Sequence, residues 1–172
     1  MRNKRMLVAI AFGAAVLLVA GTASAADIRG TISSTLTITE DSQLVGNVTC
    51  TVTGAACIAF GASGIALNLN GFSMTGLGDA TTGCAGGQVT GENGIVLNAL
   101  RGAVIQGPGI VQRFRGHGIA ITGASSRVLV TQVTVATNCL SGIFVTGAST
   151  DNDLVANTGV SNGNSTSPCG GI

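Results

Sequence analysis

Arg127-Val128-Leu129-Val130-Thr131-Gln132-Val133-Thr134-Val135, followed by Gly142-Ile143-Phe144-Val145, is the stretch whose reading decides the fold. Its side chains alternate in polarity with the period of a strand, and a tight polar bend splits the first part into two short strands. Gly142-Ile143 opens a third. The same dipeptide recurs at Gly64-Ile65, Gly94-Ile95, Gly118-Ile119 and Gly171-Ile172, giving spacings of 30, 24, 24 and 29 residues. Two equal spacings flanked by two slightly longer ones read as a 24-residue repeat carrying two loop insertions. Ile65-Ala66-Leu67, Ile95-Val96-Leu97, Ile119-Ala120-Ile121 and Ile143-Phe144-Val145 are then expected to stack, their first and third residues forming two apolar columns.

Three brief strands per repeat, with Gly, Asn, Ser and Thr at the corners, point to an all-β fold built of parallel β-helix coils. Each coil would hydrogen-bond to its neighbours ~4.8 Å away and bury one side of its strands. Asn138 and Asn162 both fall 20 residues after their Gly-Ile glycine. Aligned asparagines at a bend are expected to bond through their amides along the stack.

Leu67-Asn68-Leu69-Asn70-Gly71-Phe72-Ser73-Met74-Thr75-Gly76 resembles the L-D-L-N-G-x-x-I-x-G opening coil of right-handed parallel β-helix proteins in the pectate-lyase-like superfamily. The Gly-Ile coils that follow are similar to the same group, and the resemblance covers about residues 44 to 172. It implies an all-β, right-handed parallel β-helix, a solenoid of ~24-residue coils. It leaves the activity open, because that superfamily includes lyases, hydrolases and catalytically silent surface proteins.

Composition excludes several classes. Of 172 residues, 27 are Gly, 45% are hydrophobic, 9% charged and 3% aromatic, with no Trp or Tyr. Disorder needs the opposite balance of charge and hydrophobicity, and an ordinary helical bundle needs charged amphipathic faces. Collagen is excluded because glycine does not recur at every third position. Arg2, Lys4 and Arg5, the apolar run Met6 to Ala20, and Ala23-Ser24-Ala25 have the order of a secretory signal with its cleavage site. The strongly apolar part is too short for a spanning helix of ~20 residues. The organisation expected is therefore a cleaved signal at 1–25, an N-terminal cap at 26–60, and β-helix coils at 61–172. The sequence stops at Gly171-Ile172, where the next coil would open, which reads as truncation and leaves a coil open for end-to-end stacking. The compact signal places the protein outside a bacterial cytoplasm, secreted or periplasmic.

Without the signal the cations are Arg29, Arg101, Arg113, Arg115 and Arg127, with no lysine, against seven acids. Nucleic acid and anionic membranes draw their affinity from dense Lys and Arg, so neither is an expected partner.

All five cysteines follow the signal, and export favours disulfides. Cys50 and Cys57 would clip the small loop between them. Cys139 and Cys169 map to one corner of adjacent coils, which predicts a bond between them. Cys84 maps to an insertion at that corner two coils below, and one of these three is left over. His117, the sole histidine, lies along the same edge, but the Cys/His spacings match no metal motif. No metal ligand set is assigned. Asp151-Asn152-Asp153 reads as a polar corner rather than a calcium site.

Arg113-Phe114-Arg115-Gly116-His117 gathers basic and aromatic groups. Arginine pairs with carboxylate in a two-pronged fashion, so Arg113, Phe114, Arg115 and His117 are the candidate binding residues for an acidic polysaccharide. No paired-carboxylate cluster, nucleophile elbow or phosphate loop occurs, and no catalytic residue is assigned. The leading expectation is an exported, non-catalytic structural or binding surface, directed at carbohydrate. The alternatives are a fragment of a polysaccharide lyase or glycoside hydrolase, and a periplasmic metal-handling β-helix. No cofactor is expected, except Ca²⁺ under the lyase alternative.

Overall fold

Short alternating runs form strands throughout this chain, and each pairs with a segment far away in sequence. A computed structural model describes residues 25–163. The strands are β1 (Ala26–Ile32), β2 (Leu36–Ile38), β3 (Ser42–Cys50), β4 (Ile58–Phe60), β5 (Ala66–Asn68), β6 (Ser73–Thr75) and β7 (Ile95–Asn98). Then come β8 (Val104–Gln112), β9 (Ile119–Thr122), β10 (Leu129–Ala136), β11 (Ile143–Val145), β12 (Asp153–Val155) and β13 (Thr158–Val160). Among the described residues there is no helix, so none is long and apolar enough to cross a membrane. Residues 1–24 of the expected signal, and 164–172 with Cys169 and Gly171-Ile172, lie outside the described residues.

The strands form two sheets. An eight-stranded sheet runs β1-β3-β5-β8-β10-β12, with β6 between β3 and β8 and β13 beside β10; a five-stranded sheet runs β11-β9-β7-β4-β2. Neighbouring strands are parallel. The chain visits the two sheets in turn, and its later passes keep one length. Ile95 pairs with Ile119 and Ile119 with Ile143, while Leu129 pairs with Asp153 and Thr134 with Thr158, each 24 residues apart. Residues 26–60, expected as a cap, are themselves paired into both sheets through β1 to β4.

One repeat assignment is corrected. Gly64-Ile65 leads into β5 of the eight-stranded sheet, whereas Gly94-Ile95, Gly118-Ile119 and Gly142-Ile143 lead into the five-stranded one. The residue in register with Ile95 is Ile58, 37 positions earlier. The 30-residue spacing therefore joined two different strands by coincidence. The additional residues lie between β6 and β7.

The strand period explains the core. Along β8 burial alternates residue by residue, with Ile105, Gly107, Gly109 and Val111 inside and Gln106, Pro108 and Ile110 outside. In-register neighbours make apolar columns such as Leu67–Ile105–Val130, Met74–Val111–Val135 and Ile58–Ile95–Ile119–Ile143. Most of these side chains are fully buried.

The corners need a different device, because a bending chain leaves backbone donors and acceptors without a ladder. Arg127, Gln132 and Thr137, and then Asp151, Ala156 and Ser161, all take positive φ between 50° and 58°. Both sets recur at five-residue intervals. The residue after each bend in the last pass is an asparagine. Asn152, Asn157 and Asn162 accept hydrogen bonds at Oδ1 from the backbone N–H of Val128, Val133 and Asn138, at 2.9, 2.9 and 3.0 Å. Their Nδ2 groups donate to the carbonyls of Ser125, Val130 and Val135. Asn138 does the same one pass earlier, accepting from Phe114 N–H at 3.1 Å and donating to Val111 O. It also donates to Asn162 Oδ1 at 3.0 Å, which is the asparagine ladder expected from the spacing.

Burial on the two faces of β8 predicts opposite mutational outcomes. Ile105→Ala removes a fully buried side chain and should cost about 2–5 kcal/mol. Ile110→Ala, five residues on but 38% exposed, should cost less than about 1 kcal/mol. Urea unfolding of the two variants measures the difference, and equal losses would contradict the facing of β8.

Candidate functional site

The richest polar chemistry lies where the segment 76–93, between β6 and β7, folds across the corner that follows β8 and β10. It climbs that corner stepwise. Gly76 N–H donates to Gln112 O at 3.0 Å, Gly78 N–H to Arg113 O at 2.7 Å and Val89 N–H to Arg115 O at 2.9 Å. Gly83, at φ +72°, lies so close to the Thr137 carbonyl that a Cβ would collide with it. The Asp79 carboxylate orders the turn by accepting from Thr82 N–H at 2.7 Å, from the Thr82 hydroxyl and from Thr81 N–H. Those bonds, the Thr82 backbone bond foremost, lower its pKa to about 2.

Two stronger fastenings complete the contact. Cys84 is disulfide-bonded to Cys139, with Cα atoms 4.7 Å apart. This corrects the expected Cys139–Cys169 pairing. The intervening segment is longer than the Gly-Ile spacing indicated, and it reaches Cys139 across two passes. The second disulfide, Cys50–Cys57, joins Cα atoms 5.9 Å apart and closes the small loop, as the sequence reading expected. Two disulfides fit an oxidising compartment such as the periplasm or the extracellular space.

The other fastening is an ion pair. Arg115 grips Glu92 two-pronged, Nε to Oε2 at 2.7 Å and Nη2 to Oε1 at 2.6 Å, while Nη1 donates to Ala85 O at 3.3 Å. Glu92 is 4% exposed and also accepts from Gly54 N–H at 2.8 Å. The Arg115 hydrogen bonds hold the Glu92 carboxyl below its ordinary pKa against the opposing effect of burial. Glu92 in turn raises that of the guanidinium.

The candidate binding residues are thus separated by function. Phe114 is buried in the core. Arg115 is committed to Glu92. Arg113 is half-buried at a positive-φ bend, its N–H donating to Ala136 O and its carbonyl accepting from Gly78. His117 is buried, with its ring stacked on Phe144 at a centroid separation of 4.2 Å and 5° between planes.

His117 takes the place of an asparagine in a second ladder. Its N–H donates to Asn93 Oδ1 at 2.8 Å, and its Nδ1 accepts from Ser141 N–H at 3.1 Å. Asn93, His117 and Ser141 stand at 24-residue intervals, each immediately before a Gly-Ile dipeptide. Nδ1 accepts only when it carries no proton, which fixes the neutral ring with its proton on Nε2. Burial alone lowers the pKa to about 4. Chemically, then, the corner works as a clasp: one carboxylate, one guanidinium and the Nδ1 of one imidazole are engaged from within.

Glu92 and Asn93 were not singled out in the sequence, although the position before each Gly-Ile offered a signal for Asn93. The five-residue recurrence of Asn152, Asn157 and Asn162 was a second unread signal. Asp151 and Asp153 are exposed on either side of Asn152. Among the described residues no group of three or more His, Cys, Asp and Glu side chains is placed to hold a metal ion. In comparisons with protein-family models, curated proteins and solved structures, nothing matches this chain.

Two measurements follow from the clasp. Non-reducing peptide mapping should recover a fragment joining Cys84 to Cys139, and denatured thiol titration should find one free thiol among the five cysteines. A Cys139–Cys169 fragment would contradict the arrangement. The histidine gives a pH signature. Its folded pKa, about 4, lies below the ordinary 6.5, so its contribution to stability is complete above about pH 6.5. It is lost as pH falls from there to about 4 and stays level below. In His117→Asn, whose amide oxygen can replace Nδ1 as acceptor, that part of the acid loss should vanish. Urea midpoints between pH 7 and pH 4 measure it.

Proposed function

We propose that the protein is an exported right-handed parallel β-helix domain, akin to the pectate-lyase-like superfamily, that works as a non-catalytic binding or structural surface. The β-helix reading is supported by parallel pairing at a constant 24-residue offset and by strands that alternate between two sheets. Parallel crossovers are right-handed in nearly all proteins. Export is supported by the signal-like N-terminus and the two disulfides.

One observation carries the functional half. The side chains best suited to chemistry, Glu92, Arg115 and His117, are spent on fastening 76–93 and on joining successive passes. An arginine already gripping an internal carboxylate is a poor receptor for a second one, and a buried imidazole that accepts from a backbone N–H is no free base. This turns the carbohydrate reading away from acidic polymers and from the Arg113–His117 cluster. A β-elimination assay tests it: incubation with polygalacturonate, with and without Ca²⁺, should produce no unsaturated products absorbing in the near ultraviolet. Their appearance, together with their loss in Arg115→Gln, would replace this reading with the lyase.

A further inference from the structure

Charge is distributed unevenly over the eight-stranded sheet. Two of its three outermost strands carry charged side chains, Asp27 and Arg29 on β1 and Asp153 on β12, while β13 carries none. Between them β3, β5, β6, β8 and β10 contain none. Charges on the edge strands deter unwanted strand addition. A soluble protein ordinarily mixes both signs over its whole surface, so an uncharged interior to the sheet calls for another explanation.

The outward side chains of these strands fall into register. One column runs Gln43–Asn68–Gln106–Thr131, and another runs Thr49–Thr75–Gln112–Ala136. A third, Ser73–Ile110–Thr134, lies beside the second. Successive members of a column are ~4.8 Å apart, and adjacent columns two residues apart along a strand are separated by ~6.6 Å. The outcome is a grid of amides and hydroxyls interrupted by Ile110 and Ala136 and bordered on the last strands by Val155 and Val160. Gln106 and Ile110 are exposed, and Thr131, Thr134 and Gln112 are partly so. The other sheet differs in degree, its column Thr37–Ala59–Val96–Ala120–Phe144 being apolar beyond Thr37, with Asn98–Thr122 as a polar pair beside it.

We propose that the outer face of the eight-stranded sheet, centred on Gln106, Ile110, Gln112, Thr131 and Thr134, binds an uncharged polysaccharide. This rests on the reading of the protein as a non-catalytic surface and names the site and ligand for it. A sugar polymer presents neutral hydroxyls at regular intervals, each a donor and an acceptor. Amides and hydroxyls on a fixed lattice meet that demand without desolvating a charge. A polyuronate or nucleic acid would find no cation on β3, β5, β6, β8 or β10 to neutralise it, the sheet's one arginine, Arg29, lying on the edge strand β1. A protein partner would need a contiguous apolar centre, whereas at the centre of this face the exposed Ile110 lies between Ser73 and Thr134, and the apolar row Ala66–Val104–Leu129 lies at the margin where β5, β8 and β10 begin.

Native affinity electrophoresis tests the proposal, with gels containing mixed-linkage β-glucan, xylan or galactomannan as neutral probes and polygalacturonate as the charged one. Retardation by at least one neutral polymer, and none by polygalacturonate, is expected. Gln106→Glu/Thr134→Glu should weaken retention by roughly tenfold or more, since the new charges are desolvated without partners. Gln106→Ala/Gln112→Ala should weaken it without adding charge, and Thr37→Glu on the other sheet should leave it unchanged. Denaturant midpoints and disulfide content establish that the variants fold. No retention by any neutral polymer, stronger retention by polygalacturonate, or full retention by folded face variants overturns the assignment. A negative β-elimination assay combined with no retention removes the ligand and leaves the non-catalytic reading standing. Turnover of polygalacturonate removes that reading itself.

Discussion

Every strand in this protein satisfies its backbone by pairing with a segment one pass away, and nearly everything else depends on that arrangement. Parallel neighbours cannot be joined by a tight hairpin, so no strand can be completed locally. A pass that changed length within a strand would move its inward side chains outward, because the strand period is two. The constant 24-residue offset from Ile95 to Ile119 to Ile143 keeps isoleucine above isoleucine. Additional chain is admitted only where it leaves the register alone, as the segment 76–93 does between β6 and β7.

The corners bear the cost of this regularity. A parallel ladder stops where the chain bends, and seven non-glycine residues of the last two passes adopt positive φ to make the bends. Each asparagine in the last pass repairs one corner of the pass before, with its oxygen on one backbone N–H and its nitrogen on a carbonyl. His117 shows that the position selects for a hydrogen-bond acceptor rather than for asparagine as such. The same economy explains why Arg115 and His117 are unavailable for ligands: in a chain this poor in charge, strong donors and acceptors are used to hold the passes together.

Much of the fold was legible because it repeats. Gly94-Ile95, Gly118-Ile119 and Gly142-Ile143 announced the strands of one sheet, and Asn138 with Asn162 announced a ladder. Gly64-Ile65 misled because dipeptide spacing carries no information about which sheet a strand joins; Cys57-Ile58 holds the equivalent place with no glycine to mark it. The misplaced insertion then carried the disulfide with it, since a loop's reach depends on its length. The candidate site was less legible. Arg113 to His117 looked like an exposed basic cluster, and only the three-dimensional course of 76–93 brings Glu92, 23 residues from Arg115, onto that corner.

The bond between Cys84 and Cys139 also sets how the protein bears load. Tension applied along the chain would ordinarily peel the passes away one after another. Here the 55-residue interval between the two cysteines is bridged covalently, and force passes through the sulfurs instead. Roughly 180–200 Å of chain is thereby withheld from extension. β7 to β10 lie within the sheltered interval, including the centre of both sheets. Unravelling from either end meets a fixed limit there, so the middle of the stack behaves as a tethered block with peelable ends.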